Sequence, residues 1–186
     1  QAAAERRPDL QILQSKILLH GPDRIHSLGN RIHYLGYGFC QGYGATQPVD
    51  GGVDPPDYAS GASMLVKRNV FERIGAFRHR YFMSCEDLEF CWRARVAGFN
   101  VGFVEESVCH HKYEFRRVPA RLADLQRDRL TTLFTLEELG TIAVMLPCLI
   151  VSEGVLSLYA LARGWGAAPV SVLRHFMKRQ TWRRIR

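Results

Sequence analysis

No acidic residue follows Glu153, whereas Arg163, Arg174, Lys178, Arg179, Arg183, Arg184 and Arg186 do, so the formal charge of +7 is concentrated in the C-terminal tail. Charge alone does not decide whether such a tail meets nucleic acid, an anionic membrane or solvent. Cysteine is sparse: Cys40, Cys85, Cys91, Cys109 and Cys148 are odd in number, scattered and without a CxxC pair. That spacing suggests neither a disulfide framework nor a zinc ribbon, and fits a reducing compartment. There is no H-E-x-x-H and no comparable spacing of His and acids, which argues against a metallohydrolase. Repeat periods and low-complexity tracts are missing too. The opening run Gln1-Ala-Ala-Ala-Glu-Arg-Arg has no apolar core for a secretory signal and does not begin with Met, so the chain is expected to start inside a longer reading frame.

What is present is ample apolar material. With 47% hydrophobic residues in 186, the chain can bury a core and carry an appendage. The run from Leu10 to Leu19 has strand-like content and ends at the turn signal His20-Gly21-Pro22-Asp23. From Gly29 to Gly52 the glycines, tyrosines and prolines predict a long loop. Tyr58 to Val66 is predicted as a strand interrupted at Gly61, followed by a short helix capped by Asn69 with Glu72 and closed by Gly75. A second helix is predicted from Ser84, with Asp87 three residues on, through Ala97 to Gly98. Asn100–Val104 and Ser107–His110 are short strand candidates separated by Glu105 and Glu106. This alternation argues for an α/β fold. The composition shifts near residue 118, which predicts one domain over residues 1–117 and a helical region over 118–186.

Three groups could carry chemistry. Glu86 and Asp87 sit at a predicted helix start, where free N–H groups and the helix dipole favour carboxylates. Capping explains them; so does a base held against an apolar wall, poised to take a proton from a hydroxyl. Ser60-Gly61-Ala62 is a run of small residues that permits a ligand, or another backbone, to approach closely. Cys109-His110-His111 offers imidazoles for a metal or a phosphate, but adjacent residues on a strand face opposite ways, so at most one serves a given site.

Taken in order, Tyr58-Ala-Ser-Gly-Ala-Ser-Met-Leu-Val-Lys-Arg68, Val70-Phe-Glu-Arg-Ile-Gly-Ala-Phe77, Tyr81-Phe-Met-Ser-Cys-Glu-Asp-Leu-Glu-Phe-Cys-Trp-Arg-Ala-Arg-Val-Ala-Gly-Phe99 and Val108-Cys-His-His111 resemble the C-terminal half of family 2 glycosyltransferases, especially rhamnosyltransferase-like members. The resemblance covers residues 10 to 135 and implies a partial GT-A fold, a mixed sheet with flanking helices, followed by C-terminal apolar and basic helices. It implies that Asp87 is the base of an inverting transfer, with Glu86 beside it placing the acceptor. Ser60, Gly61, Ala62, Trp92 and Arg93 would then lie on the substrate side, and His110 would meet the metal, Mg²⁺ or Mn²⁺, or the diphosphate. The implied partners are a nucleotide-sugar donor and a polysaccharide or other glycan, or a lipid-linked acceptor. Two departures stand out: the family's aspartate-rich metal motif has no counterpart, since no D-x-D occurs, and Arg78 stands where an acidic residue is common. The expectation is an acceptor-side fragment, inactive alone, with a non-catalytic module of the same fold as the alternative.

Residues 139 to 162 contain a single charge, Glu153, and are numerous enough to cross a bilayer, although Pro147 invites a break into two shorter helices. Trp165, Trp182 and the arginines follow as they would near anionic headgroups, which predicts a membrane surface as partner and the cytoplasmic face as location. Packing onto another part of a longer enzyme is the competing reading. Nucleic acid is not expected, because the tail lacks an aromatic-interleaved strand motif.

Overall fold

A computed structural model describes residues 5–21, 24–46, 53–81, 85–112 and 119–185, without the side chains of 119, 120 and 184. The fold is mixed α/β and divides into two compact units, one within residues 1–33 and 38–114, the other comprising 34–37 and 115–186.

In the first unit, β1 (Ile12–Leu19) is the central strand. It pairs antiparallel with β2 (Ile25–Ser27) near its C-terminal end and antiparallel with β5 (Met64–Val66) near its start. Along its whole length it pairs in parallel with β6 (Val101–His111). Its start is buried on both faces: Ile12 and Leu13 belong to separate clusters, as alternation along a strand requires. The two predicted strands at 100–104 and 107–110 are one strand. Its ladder jumps from Ser15 opposite Val104 to Lys16 opposite Val108, so Glu105, Glu106 and Ser107 bulge out and both carboxylates stay in solvent. Part of the predicted loop is also ordered pairing, since β3 (Asn30–Ile32) and β4 (Gly38–Cys40) form an antiparallel pair.

Helix α1 (Arg68–Ile74) closes at Gly75, whose φ of 76° is cheap for glycine and whose N–H bonds the Phe71 carbonyl at 2.8 Å. Asn69, expected as its cap, lies inside the helix; Lys67 holds the cap position without a side-chain hydrogen bond. Helix α2 (Glu86–Val96) buries Leu88, Phe90, Cys91 and Ala94 against Ile12, Val70 and Val101. Phe90 stacks on Phe77 with ring centres 4.4 Å apart, and burying such a ring stabilises by about 1.5–3 kcal/mol. The predicted cap Ser84 lies outside the described residues.

The second unit is helical: α3 (Pro119–Leu136), α4 (Leu139–Ala162), α5 (Ala167–Met177) and α6 (Arg179–Ile185). Helix α4 runs unbroken through Pro147, so of the two readings left open, one long helix or two shorter ones, the structure has the first. It is long and apolar enough to cross a membrane, with a mean hydropathy of 2.0 and only 6% of that window buried. Glu153 is not left alone in it. The buried Arg129 of α3 donates to its carboxylate and to the Leu35 carbonyl, and stands 4.2 Å from the centre of the Tyr37 ring.

Candidate active site

Helix α2 opens abruptly. Cys85, the residue before it, has φ 59° and is the only non-glycine with positive φ among the described residues. A left-handed residue of this kind costs of order 1 kcal/mol and persists only where its surroundings hold it. Immediately after it come Glu86 and Asp87, both half-buried.

Asp87 Oδ2 accepts the Gly61 N–H at 3.0 Å, and Oδ1 accepts the Leu88 N–H at 2.8 Å. Burial raises the Asp87 pKa above the ordinary carboxylate range, against the pull of these donors toward ionisation. The carboxylate is also felt around it. Burial first, and then the Asp87 charge, push the Cys40 thiol up to about 11 and the Tyr58 hydroxyl well above its usual value. A Cβ on Gly61 would make only ordinary contact, 3.7 Å from Asp87 Cβ. Gly38 is different, because a Cβ there would come within 2.3 Å of the Tyr58 hydroxyl.

Ser60, Gly61 and Ala62 are not strand but a turn, in which Ser63 N–H bonds the Ser60 carbonyl at 3.2 Å. That turn is anchored from below by a buried polar chain. Ser60 N–H donates to Gln14 Oε1 at 2.7 Å, Gln14 Nε2 to Ser27 Oγ at 2.8 Å, and the Ser27 hydroxyl to Asn30 Oδ1 at 2.7 Å. Asn30 in turn bridges Tyr58 through the backbone. Each member is satisfied, so the network fixes the turn rather than weakening the core. Beside the turn lies a cleft of about 360 Å³ lined by Gln14, Ser15, Gly61, Ala62, Ser63 and Ser107 together with the apolar Leu13, Met64, Leu65 and Val104; Asp87 meets it through Gly61 and is not itself in the lining. The hydroxyls of Ser63 and Ser15 are 2.9 Å apart, those of Ser15 and Ser107 2.8 Å.

Sequence reasoning gave no role to Gln14 or Asn30. Gln14 lies in the segment predicted as a strand, and Asn30 in the stretch predicted as a loop.

Arg93 is engaged elsewhere. Its guanidinium meets the fully buried Glu89 at 2.9 and 3.2 Å and the carbonyls of Ile74 and Ala76, so it ties α2 to the end of α1 rather than facing the cleft. Arg78 adds a second cation to Glu89 at 3.3 Å. Trp92 is half-buried against the core cluster. His110 is exposed near the end of β6, opposite Leu18, while His111 turns inward to face His26 with Nδ1 atoms 3.3 Å apart. No group of three His, Cys, Asp or Glu suited to a metal ion occurs among the described residues.

No family model matches the chain. Curated relatives do, over short stretches. A low-salt glycan biosynthesis hexosyltransferase of Haloferax volcanii is 44% identical over 50 residues, 27% of this chain and 16% of that protein. The rhamnosyltransferase WbbL of Escherichia coli is 40% identical over 48 residues, 26% of this chain and 18% of its own length. An N-acetylglucosaminyl-diphospho-decaprenol L-rhamnosyltransferase of Mycobacterium tuberculosis is 39% identical over 59 residues, 31% and 19% respectively. The matched stretches thus span less than a fifth of each relative. At this coarse level the chain is similar to glycosyltransferases.

Proposed function

We propose that this chain carries the acceptor-side chemistry of an inverting glycosyltransferase of the family 2, GT-A type, rhamnosyltransferase-like in character, with Asp87 as the base. The observation that carries the reading is Gly61, which both lines a cleft with three serine hydroxyls in its wall and donates its N–H to the Asp87 carboxylate at 3.0 Å. The hydroxyl-rich wall suits a glycan, whose own hydroxyls need partners when they leave water.

In the proposed step an acceptor hydroxyl gives its proton to Asp87 while its oxygen attacks the anomeric carbon. The new C–O bond forms as the bond to the nucleoside diphosphate breaks, and the electron pair departs with the phosphate. A raised pKa helps, since a carboxylate that binds its proton more firmly is a stronger base. Glu86, next in the same first turn, would orient the acceptor, and Ser60, Gly61 and Ala62 would supply the close-approach surface. No D-x-D occurs in this sequence, so the donor diphosphate is assigned to residues outside it. Mg²⁺ or Mn²⁺ does not fit the described residues by themselves: His110 is one nitrogen donor without companions, and no step here is routed through a metal.

The exposed apolar face of α4 and the arginines after it support membrane association, on the cytoplasmic side, with a lipid-linked acceptor as the matching substrate. The same features would suit a non-catalytic membrane module, and one experiment separates the two. In the full-length gene product, Asp87→Asn is expected to lower transfer by about 10²–10⁴-fold. Ionisation of a carboxylate with a raised pKa opposes folding as pH rises, so the variant should melt no lower than the parent at neutral pH. Undiminished turnover would remove Asp87 as the base.

A further inference from the structure

The helical unit holds two adjoining cavities of its own. Between α3, α4, α5 and α6 lies an open cleft of about 570 Å³, within the range of small-molecule sites. Its walls are apolar, with Leu130, Phe134, Leu149, Leu156, Phe176 and Trp182 prominent among them. The one acid in the lining, Glu153, is already neutralised by Arg129.

Next to it is a pocket of the opposite character, about 820 Å³, which shares Ala123, Val170 and Val172 with the apolar cleft. Arg127, Arg174, His175 and Lys178 line it, and no acidic side chain does. Arg127 is occupied by Asp124 at 2.8 Å and Asp128 at 3.0 Å. Arg174 and Lys178 are exposed, one helical turn apart, and make no ion pair among the described residues. Burial lowers the His175 pKa, and the charges of Arg127 and Lys178 lower it further, while Asp128 acts the other way.

An apolar cleft contiguous with a cationic pocket matches an amphiphile with an anionic head. We propose that the helical unit seats a single phosphate-headed lipid, its chain in the cleft and its phosphate on Arg174 and Lys178. Phosphate is the fitting anion because two cations one turn apart can meet different oxygens of one group. A peptide helix would fill the apolar part but leave the cationic pocket unmatched. The outward side of α4, where Val144 is 81% exposed and Leu158 68%, offers the apolar surroundings from which such a chain would enter.

The test uses the full chain in phosphatidylcholine nanodiscs, titrated with pyrene-labelled phosphatidic acid and read by energy transfer from tryptophan. Saturation at one lipid per chain is expected, with affinity at least tenfold above that for pyrene-labelled diacylglycerol. Arg174→Ala with Lys178→Ala should weaken binding at least tenfold, and both positions are exposed enough to spare the fold. Leu173→Asp, in the cleft wall yet 62% exposed, should do the same through the chain. Equal binding of the two lipids, non-saturating partition, unchanged affinity in the variants, or displacement by inorganic phosphate at matching concentration would each overturn the proposal. No sugar enters the titration, so its failure leaves the role of Asp87 untouched.

Discussion

Both units bury apolar side chains, but they differ in the polar groups they take in and the apolar ones they leave out. In the α/β unit Phe90, Ile12 and Val70 are inside, and the exceptions, Gln14, Ser27, Asn30 and Glu89, are buried polar groups with partners. The first three support the turn that holds Asp87 through Gly61. In the helical unit Arg129 and Thr132 are inside while Val144, Val151, Val155 and Leu158 are outside. Water does not favour that second pattern, because an apolar patch of this extent costs free energy wherever nothing covers it. One unit therefore keeps a bonded chain of polar groups inside, and the other leaves the apolar face of a long helix uncovered.

Each half of the contrast can be broken. The largest effect on stability is expected from Arg93→Ala, which strands the carboxylate of Glu89 inside the core with only Arg78 near it. Loss of about 3–5 kcal/mol in chemical denaturation is expected. Next is Val151→Asp, 66% exposed on α4, which should leave the melting temperature unchanged yet weaken membrane partition by about 3 kcal/mol in flotation assays. Unchanged flotation would remove α4 from the membrane. Gly38→Ala, by driving a methyl group into the buried Tyr58 hydroxyl, should cost about 1–3 kcal/mol and disturb the site it borders.

The smallest effect separates two aspartates of the same unit. For Asp57, burial works to raise the pKa, but the Ile32 N–H, Arg31 and Arg95 overcome it and the net shift is downward. A depressed carboxylate stabilises above its unfolded pKa, about 3.9, and that contribution is lost as pH falls through the folded value. The stability gap between the parent and Asp57→Asn should therefore narrow in acid. Asp87, shifted the other way, should show no such loss.

Much of the element order was legible because apolar periodicity reports burial directly: β1, α1, α2, α3 and α4 fall where the apolar runs predict. What local signals left wrong or open shares a cause. Asn69 looked like a cap and Pro147 left a break open on local grounds, but caps and breaks are weak, about 1–3 kcal/mol, beside the packing and apolarity of the helices around them. The β3–β4 pair hid in a glycine-rich stretch because its stability comes from partners and not from its own side chains. The carboxyl pair at 86–87 stood out as charge beside an apolar helix, whereas Gln14 and Asn30 did not, since a polar residue in a strand or a loop reads as solvent-facing until its neighbours are known.

By itself the sequence determined the α/β order, the single acid in an apolar helix and the basic tail, because composition and periodicity along one chain suffice for those. Only the tertiary structure decided that Arg129 answers Glu153, that Arg93 answers Glu89, and that Gly61 meets Asp87. Those pairs lie 24, 4 and 26 residues apart, and the two distant ones form only where folding has already withdrawn water and brought the partners within hydrogen-bonding reach.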